Sequence, residues 1–170
     1  MNRLLPLLLC TALMGCRPPS EPATPLAVQS LAHCPAAGIV HALAAATSGL
    51  VLLSETDAPW SWVWYPAQPL PTAAQMADLA GIPESAAEVE QPDFSTFFAG
   101  LGTAADPTDP ASVDRARRYR HLRAVLEHRY TALRVYRVRD AVATPAVWTV
   151  FVLGQDACGT SGLELSLIHI

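Results

Sequence analysis

The residues best placed to do chemistry are Ser54-Glu55-Thr56-Asp57, two carboxylates and two hydroxyls in a row. They follow the apolar run Leu50 to Leu53 and precede Pro59 and an aromatic run from Trp60 to Tyr65. A buried strand ending there would present acidic groups at a rigid edge, where scaffolded loops commonly carry binding residues. Neither Lys nor Arg lies nearby in sequence to neutralise them. The plainer reading is also available, because Ser, Thr and Asp close turns through their own side chains ahead of a proline.

Catalysis finds little support. Ser54, a distant histidine and Asp57 make a triad by type, but nothing in the sequence brings them together. His33, His41, His121 and His128 include no His-x-x-x-His pair, and the spacing of His121 and His128 on a helix is too long for both to grip one metal ion. There is no Gly-x-Ser-x-Gly elbow and no phosphate-cradling glycine loop. The expectation is a protein without catalytic residues, metal or cofactor.

Charge is unevenly spread over a chain of net charge −4. From Pro18 to Asp114 there is neither Lys nor Arg, while Glu55, Asp57, Asp78, Glu84, Glu88, Glu90, Asp93, Asp106 and Asp109 accumulate. Arginines then cluster from Arg115 to Arg139. An acidic side suits a basic partner, although the two signs would equally pair within a solvated fold. Direct nucleic-acid binding is disfavoured, since such domains show a basic balance and a recognisable module.

The elements that would position these groups follow from periodicity. Pro35 to Thr47 reads as a helix, Leu50 to Leu53 and Trp60 to Tyr65 as strands, and Thr72 to Leu79 as a short helix capped by Thr72 and stopped by Gly81. Ile82 to Pro92 reads as acidic loop, and Asp93 starts a helix over Phe94 to Leu101. Asp109-Pro110 opens the longest helix, whose core face carries Ala116, Tyr119, Leu122, Val125, Leu126, Tyr130 and Leu133. Leu133 to Arg139 reads as a half-exposed strand, and Ala146 to Leu153, apolar on both faces, as a central one. Helices before and after short strands predict an α/β fold, a three-layer α/β/α sandwich with a mixed or antiparallel sheet.

Several landmarks appear together in a familiar order. Gly49-Leu50, then Ser54-Glu55-Thr56-Asp57, Pro59-Trp60 and Val63-Trp64 are followed by Val135-Tyr136-Arg137-Val138, Thr149 to Gly154 and Gly162-Leu163. In this order the chain resembles the nuclease A inhibitor-like family. The resemblance implies an inhibitor of a secreted or periplasmic sugar-nonspecific nuclease, with Glu55 matching the family's glutamate and Ser54, Thr56, Asp57 and Trp60 around it. It also implies the sandwich fold. The stretch Thr103 to Asp114 lacks the tryptophan of the family's acidic loop before the long helix. That departure keeps a second reading open, a lipid-anchored binding or adaptor domain that retains the fold without the nuclease contact.

The two chain ends carry their own expectations. Residues 1–15 read as a signal peptide, with Asn2-Arg3, the apolar run Leu4 to Met14, and Leu13-Met14-Gly15-Cys16 resembling a bacterial lipobox. Cys16 would then carry lipid, the Pro-rich residues 16–30 would form a tether, and residues 31–164 a monomeric domain held at the cell envelope, on the outer membrane. Membrane contact would pass through that lipid anchor alone. Cys10 would leave with the signal peptide, so Cys34 and Cys158 remain either as a disulfide or as two buried thiols. Residues 165–170, Leu-Ser-Leu-Ile-His-Ile, match a translation of the transposon end used in sequencing libraries and are expected to be foreign, which leaves His169 without functional weight.

Overall fold

The structure is a computed structural model of the chain and describes residues 36–52, 58–66, 69–144 and 146–169. Helix α1 spans Ala36–Thr47, α2 Ala73–Leu79, α3 Phe94–Leu101 and α4 Pro110–Arg129. The strands are β1 Val51–Leu52, β2 Ala58–Pro59, β3 Ser61–Pro66, β4 Ala87–Glu90, β5 Ala132–Asp140, β6 Ala146–Asp156 and β7 Gly159–His169. Strands β3 to β7 form one antiparallel five-stranded sheet in the order β3-β7-β6-β5-β4, and β1 and β2 form a separate two-stranded ladder.

Helix ends sit where local chemistry puts them. Thr72 and Gln75 cap α2 reciprocally, so two orphan amides at its start are satisfied. Asp93 accepts from the Thr96 amide at the start of α3, and Asp109 accepts from Ala111 and Ser112 at the start of α4, where Pro110 gives up an amide that had no partner to find.

Burial explains the layers. Side chains alternate across a strand, so β6 sends Val150 and Val152 to one face and Phe151 and Leu153 to the other, all buried. On the first face they join Val135, Leu163 and Leu165, packed under Ile39 and Leu43 of α1, Phe98 of α3 and Tyr119, Leu122 and Leu126 of α4. On the second face Tyr136, Val138, Phe151 and Leu153 pack against Met76 of α2. The molecule is thus an α/β/α sandwich, and β6 is its central strand as expected. Gly162 on β7 is required by contact: a Cβ there would lie 2.0 Å from the Val152 carbonyl oxygen on β6.

Two expectations change. The loop expected over Ile82 to Pro92 contains β4, one of the sheet's two edge strands. Glu88 and Glu90 lie opposite Arg139 and Arg137 on β5 and pair with them, while Val89 faces Val138, so two alternating charged strands match register. Helix α4 stops at Arg129, and Leu133 belongs to β5 rather than to the helix face. Residues 165–169 prolong β7 along β6 down to the pair Ala146 and His169, with Leu165 buried.

The Cys34–Cys158 bridge is also corrected. No disulfide joins two of the described residues, since Cys158 is the one cysteine among them and Cys34 lies outside. Cys158 is itself disulfide-bonded to a partner outside the described residues, so a Cys34–Cys158 bridge is not an element of the described fold. Among the described residues, helices and sheet are held by the two apolar layers.

Candidate functional site

The acidic segment is bracketed by a short antiparallel ladder. Val51 pairs with Pro59 and Leu52 with Ala58, which fixes both ends of the intervening chain side by side. Leu53, Ser54, Glu55, Thr56 and Asp57 themselves lie outside the described residues. What the structure does show is how firmly the base of this hairpin is held.

Four contacts hold it. Leu50, just before β1, is 1% exposed, and Leu52 and Ala58 pack partly against the core of the α1, α3 and α4 layer. Gly49 takes φ of 61°, a left-handed turn that side chains resist, and brings the chain out of α1 into β1. Arg118 of α4 donates to the Gly49 carbonyl at 2.9 Å and to the Ser48 carbonyl, so one guanidinium clamps both acceptors of that turn. On the other arm, the Trp60 indole N–H donates to the Tyr119 hydroxyl at 3.4 Å.

Trp60, which the resemblance sets around Glu55, is not an exposed aromatic. It is 8% exposed and belongs to the core, where its ring supports the hairpin from below. More aromatic surface comes from Trp62, 36% exposed and stacked on Trp64 at 6.4 Å along the edge strand β3. Burial pushes the Tyr119 phenol up to about 12, against the smaller opposing effects of its hydrogen bond with Trp60 and of the Arg115 and Arg118 charges. Tyr119 is thus a neutral structural hydroxyl throughout the physiological range.

The arginines turn out to be mostly internal struts. Arg120 donates to the Gly102 carbonyl and Arg134 to the Pro71 carbonyl. Arg117 pairs with Asp114, Arg123 with Glu127, Arg137 with Glu90 and Arg139 with Glu88. Arg137 and Arg139 also lie over the Trp148 ring at 4.6 and 4.8 Å. A helix so occupied offers phosphate few free cations, which weakens the nucleic-acid reading further.

Among the described residues there is no group of three or more His, Cys, Asp or Glu that could hold a metal ion, and His41, His121 and His128 are exposed. Ser54 and Asp57 of the imagined triad, with Cys16 and Cys34, lie outside the described residues.

The sequence model of the family described as Nuclease A inhibitor-like protein matches residues 37–169. The chain belongs to that family. The match spans every described helix and strand, from α1 to the end of β7, and so includes the bracketed acidic segment. No curated protein matches the chain significantly. The Nuclease A inhibitor-like family is inhibitor-type, which supports a nuclease-inhibitor-like role in general.

The supports of the β1–β2 ladder are not legible in the sequence. Arg118 and Tyr119 are indistinguishable in sequence from their neighbours on α4, because their partners Ser48, Gly49 and Trp60 are remote in the chain. The β4–β5 charge ladder did leave a signal, the matching alternations Glu88-Val89-Glu90 and Arg137-Val138-Arg139.

Proposed function

We propose that the chain inhibits a sugar-nonspecific DNA/RNA endonuclease by lodging its acidic hairpin in the enzyme's metal-containing active site. The observation that carries this is the β1–β2 ladder, which closes at Leu52 and Ala58 directly on either side of the acidic segment and is clamped to α4. Nucleases of this kind hold a divalent metal and basic side chains where the scissile phosphate sits. Glu55 acts there as a phosphate mimic, with Ser54, Thr56 and Asp57 orienting it, and Trp60 holding the hairpin from within the core. A loop fixed at both ends loses less conformational freedom on binding, so more of the contact energy appears as affinity.

Location belongs to the same proposal. The sequence Leu13-Met14-Gly15-Cys16 and the Pro-rich stretch after it support a lipid anchor on Cys16 that keeps a monomeric inhibitor at the outer membrane of a bacterial envelope, facing a secreted or periplasmic nuclease.

Glu55→Ala is the test. Loss of a buried charged hot spot costs about 2 to 5 kcal/mol of binding, so the inhibition constant against a susceptible nuclease should rise well over tenfold. Near-unchanged inhibition would remove Glu55 from the interface. Failure of the intact chain to slow any sugar-nonspecific nuclease would leave the adaptor reading instead.

A further inference from the structure

Beside the hairpin base, between the end of α3 and the start of α4, lies a cavity of about 170 Å³. Its walls include Leu52, Leu101, Ala105, Ala116 and the Tyr119 ring, and Arg115 stands among them. We propose that this cavity receives one aromatic side chain of the partner protein, with a carboxylate beside the ring meeting Arg115. The partner's identity rests on the inhibitor reading above; the chemistry of the cavity does not.

Size and walls point to a ring. An apolar cavity of about 150 Å³ is enough to take up benzene. Polar lining groups are already engaged: the Ser112 hydroxyl accepts from the Asp106 amide and the Thr103 hydroxyl donates to the Ala99 carbonyl. What remains open is apolar surface, and aromatic anchors seated in such pockets carry much of the energy of protein interfaces.

Charge selects the group beside the ring. Arg115 is half-buried and, among the described residues, makes no ion pair or hydrogen bond. Among the described residues no Asp or Glu lines the cavity, and the adjacent Asp114 is already paired with Arg117. A guanidinium in apolar surroundings is met best by a carboxylate, through charge-assisted hydrogen bonds.

The cavity is also built before binding. The Asp106 carboxylate accepts from the hydroxyl and amide of Thr108, Asp109 caps α4, and Arg120 holds the Gly102 carbonyl, so the loop that forms one wall is pinned along its length. Leu52 lines the cavity and pairs with Ala58 in the β1–β2 ladder, so a partner seated on that ladder reaches the cavity too. The partner face would then carry the mirror pattern, a basic cleft flanked by an aromatic ring and an acid. Such a pattern rejects partners that offer only a basic cleft.

The test uses small probes on the isotope-labelled full chain. Phenylacetate should cause saturable shifts in the methyl signals of Leu52, Leu101, Ala105 and Ala116, and phenethylamine, which has a similar ring but a cation, should bind at least fivefold more weakly. Arg115→Ala should cut phenylacetate affinity at least fivefold while leaving benzyl alcohol within twofold. Ala105→Phe, at an exposed position on the wall, should fill the mouth and weaken both. Equal binding of acid and amine, shifts scattered over the surface, or no effect of either variant would overturn the assignment.

A second arm reads inhibition. If Glu55→Ala abolishes inhibition but Arg115→Ala and Ala105→Phe leave it unchanged, the cavity is no part of the interface and this inference fails while the inhibitor reading stands. If the probes bind as expected but Glu55→Ala leaves inhibition intact, the acidic-loop mechanism fails and the cavity chemistry stands.

Discussion

Two neighbouring arginines on α4 should behave very differently on removal. Arg118 donates to the Gly49 and Ser48 carbonyls, which belong to a chain reversal far away in sequence, whereas Arg117 pairs with Asp114 one turn back on its own helix, with 72% and 49% of the two side chains exposed. A hydrogen bond from a charged group contributes about 1.5 to 3 kcal/mol when well shielded. Water reaches this guanidinium, so we expect Arg118→Ala to cost about 1 to 2 kcal/mol for the pair together. In a domain of this size that lowers the thermal midpoint by about 4 to 8 °C. Arg117→Ala should leave the midpoint where it is, because an exposed helical ion pair trades one solvated state for another. Arg118→Lys should recover only part of the loss, since an ammonium cannot fork across two carbonyls as a planar guanidinium does. Thermal melts and urea titrations of the three variants, followed by inhibition assays, separate the cases. Equal midpoints for Arg118→Ala and Arg117→Ala would refute the clamp. So would full inhibitory strength in a variant whose hairpin base had lost it.

Further outcomes follow from the core and from pH. Gly162→Ala forces a Cβ to within 2.0 Å of the Val152 carbonyl oxygen in the middle of the β6–β7 ladder, so we expect a loss of about 3 kcal/mol or more, read as a lower urea midpoint or as failure to fold. The Tyr119 phenol is raised from 10.0 to about 12 in the folded chain, so the neutral form is favoured by folding. Its contribution is complete below about pH 10 and is lost as pH rises towards about 12, amounting to about 2 to 3 kcal/mol. Burial also raises Tyr65 and Tyr130, which adds alkaline sensitivity of the same sign. Urea midpoints at pH 9 and pH 12 should therefore converge in Tyr119→Phe relative to the parent, and an undiminished alkaline loss would show that Tyr119 is not its source.

Much of the helical layer was legible because its signals are local. Thr72 with Gln75, Asp93 with Thr96, and Asp109 with Pro110 each satisfy a helix start within four residues, so spacing alone reveals them. The core face of α4 was equally visible in the recurrence of Ala116, Tyr119, Leu122 and Leu126. β4 was not, because an acidic stretch reads as loop until the arginines of β5 stand opposite it. Nor was the role of Trp60, whose position after an acidic turn suggests a surface aromatic until Tyr119 arrives from α4 to receive its N–H.

The amino-acid sequence on its own determined the α/β class, the order of the four helices, the central apolar strand and the place of the acidic segment between two short apolar runs. These depend on capping, on side-chain periodicity and on turn residues, all of which act over a few positions. Tertiary structure alone decided that Val51 and Leu52 pair with Pro59 and Ala58, that Arg118 and Tyr119 brace that ladder, and that Arg115 stands beside a ring-sized cavity without an ion pair or hydrogen bond among the described residues. Each of these joins residues brought together only when α4 packs across the sheet, and a chain's local preferences do not encode which distant groups will meet there.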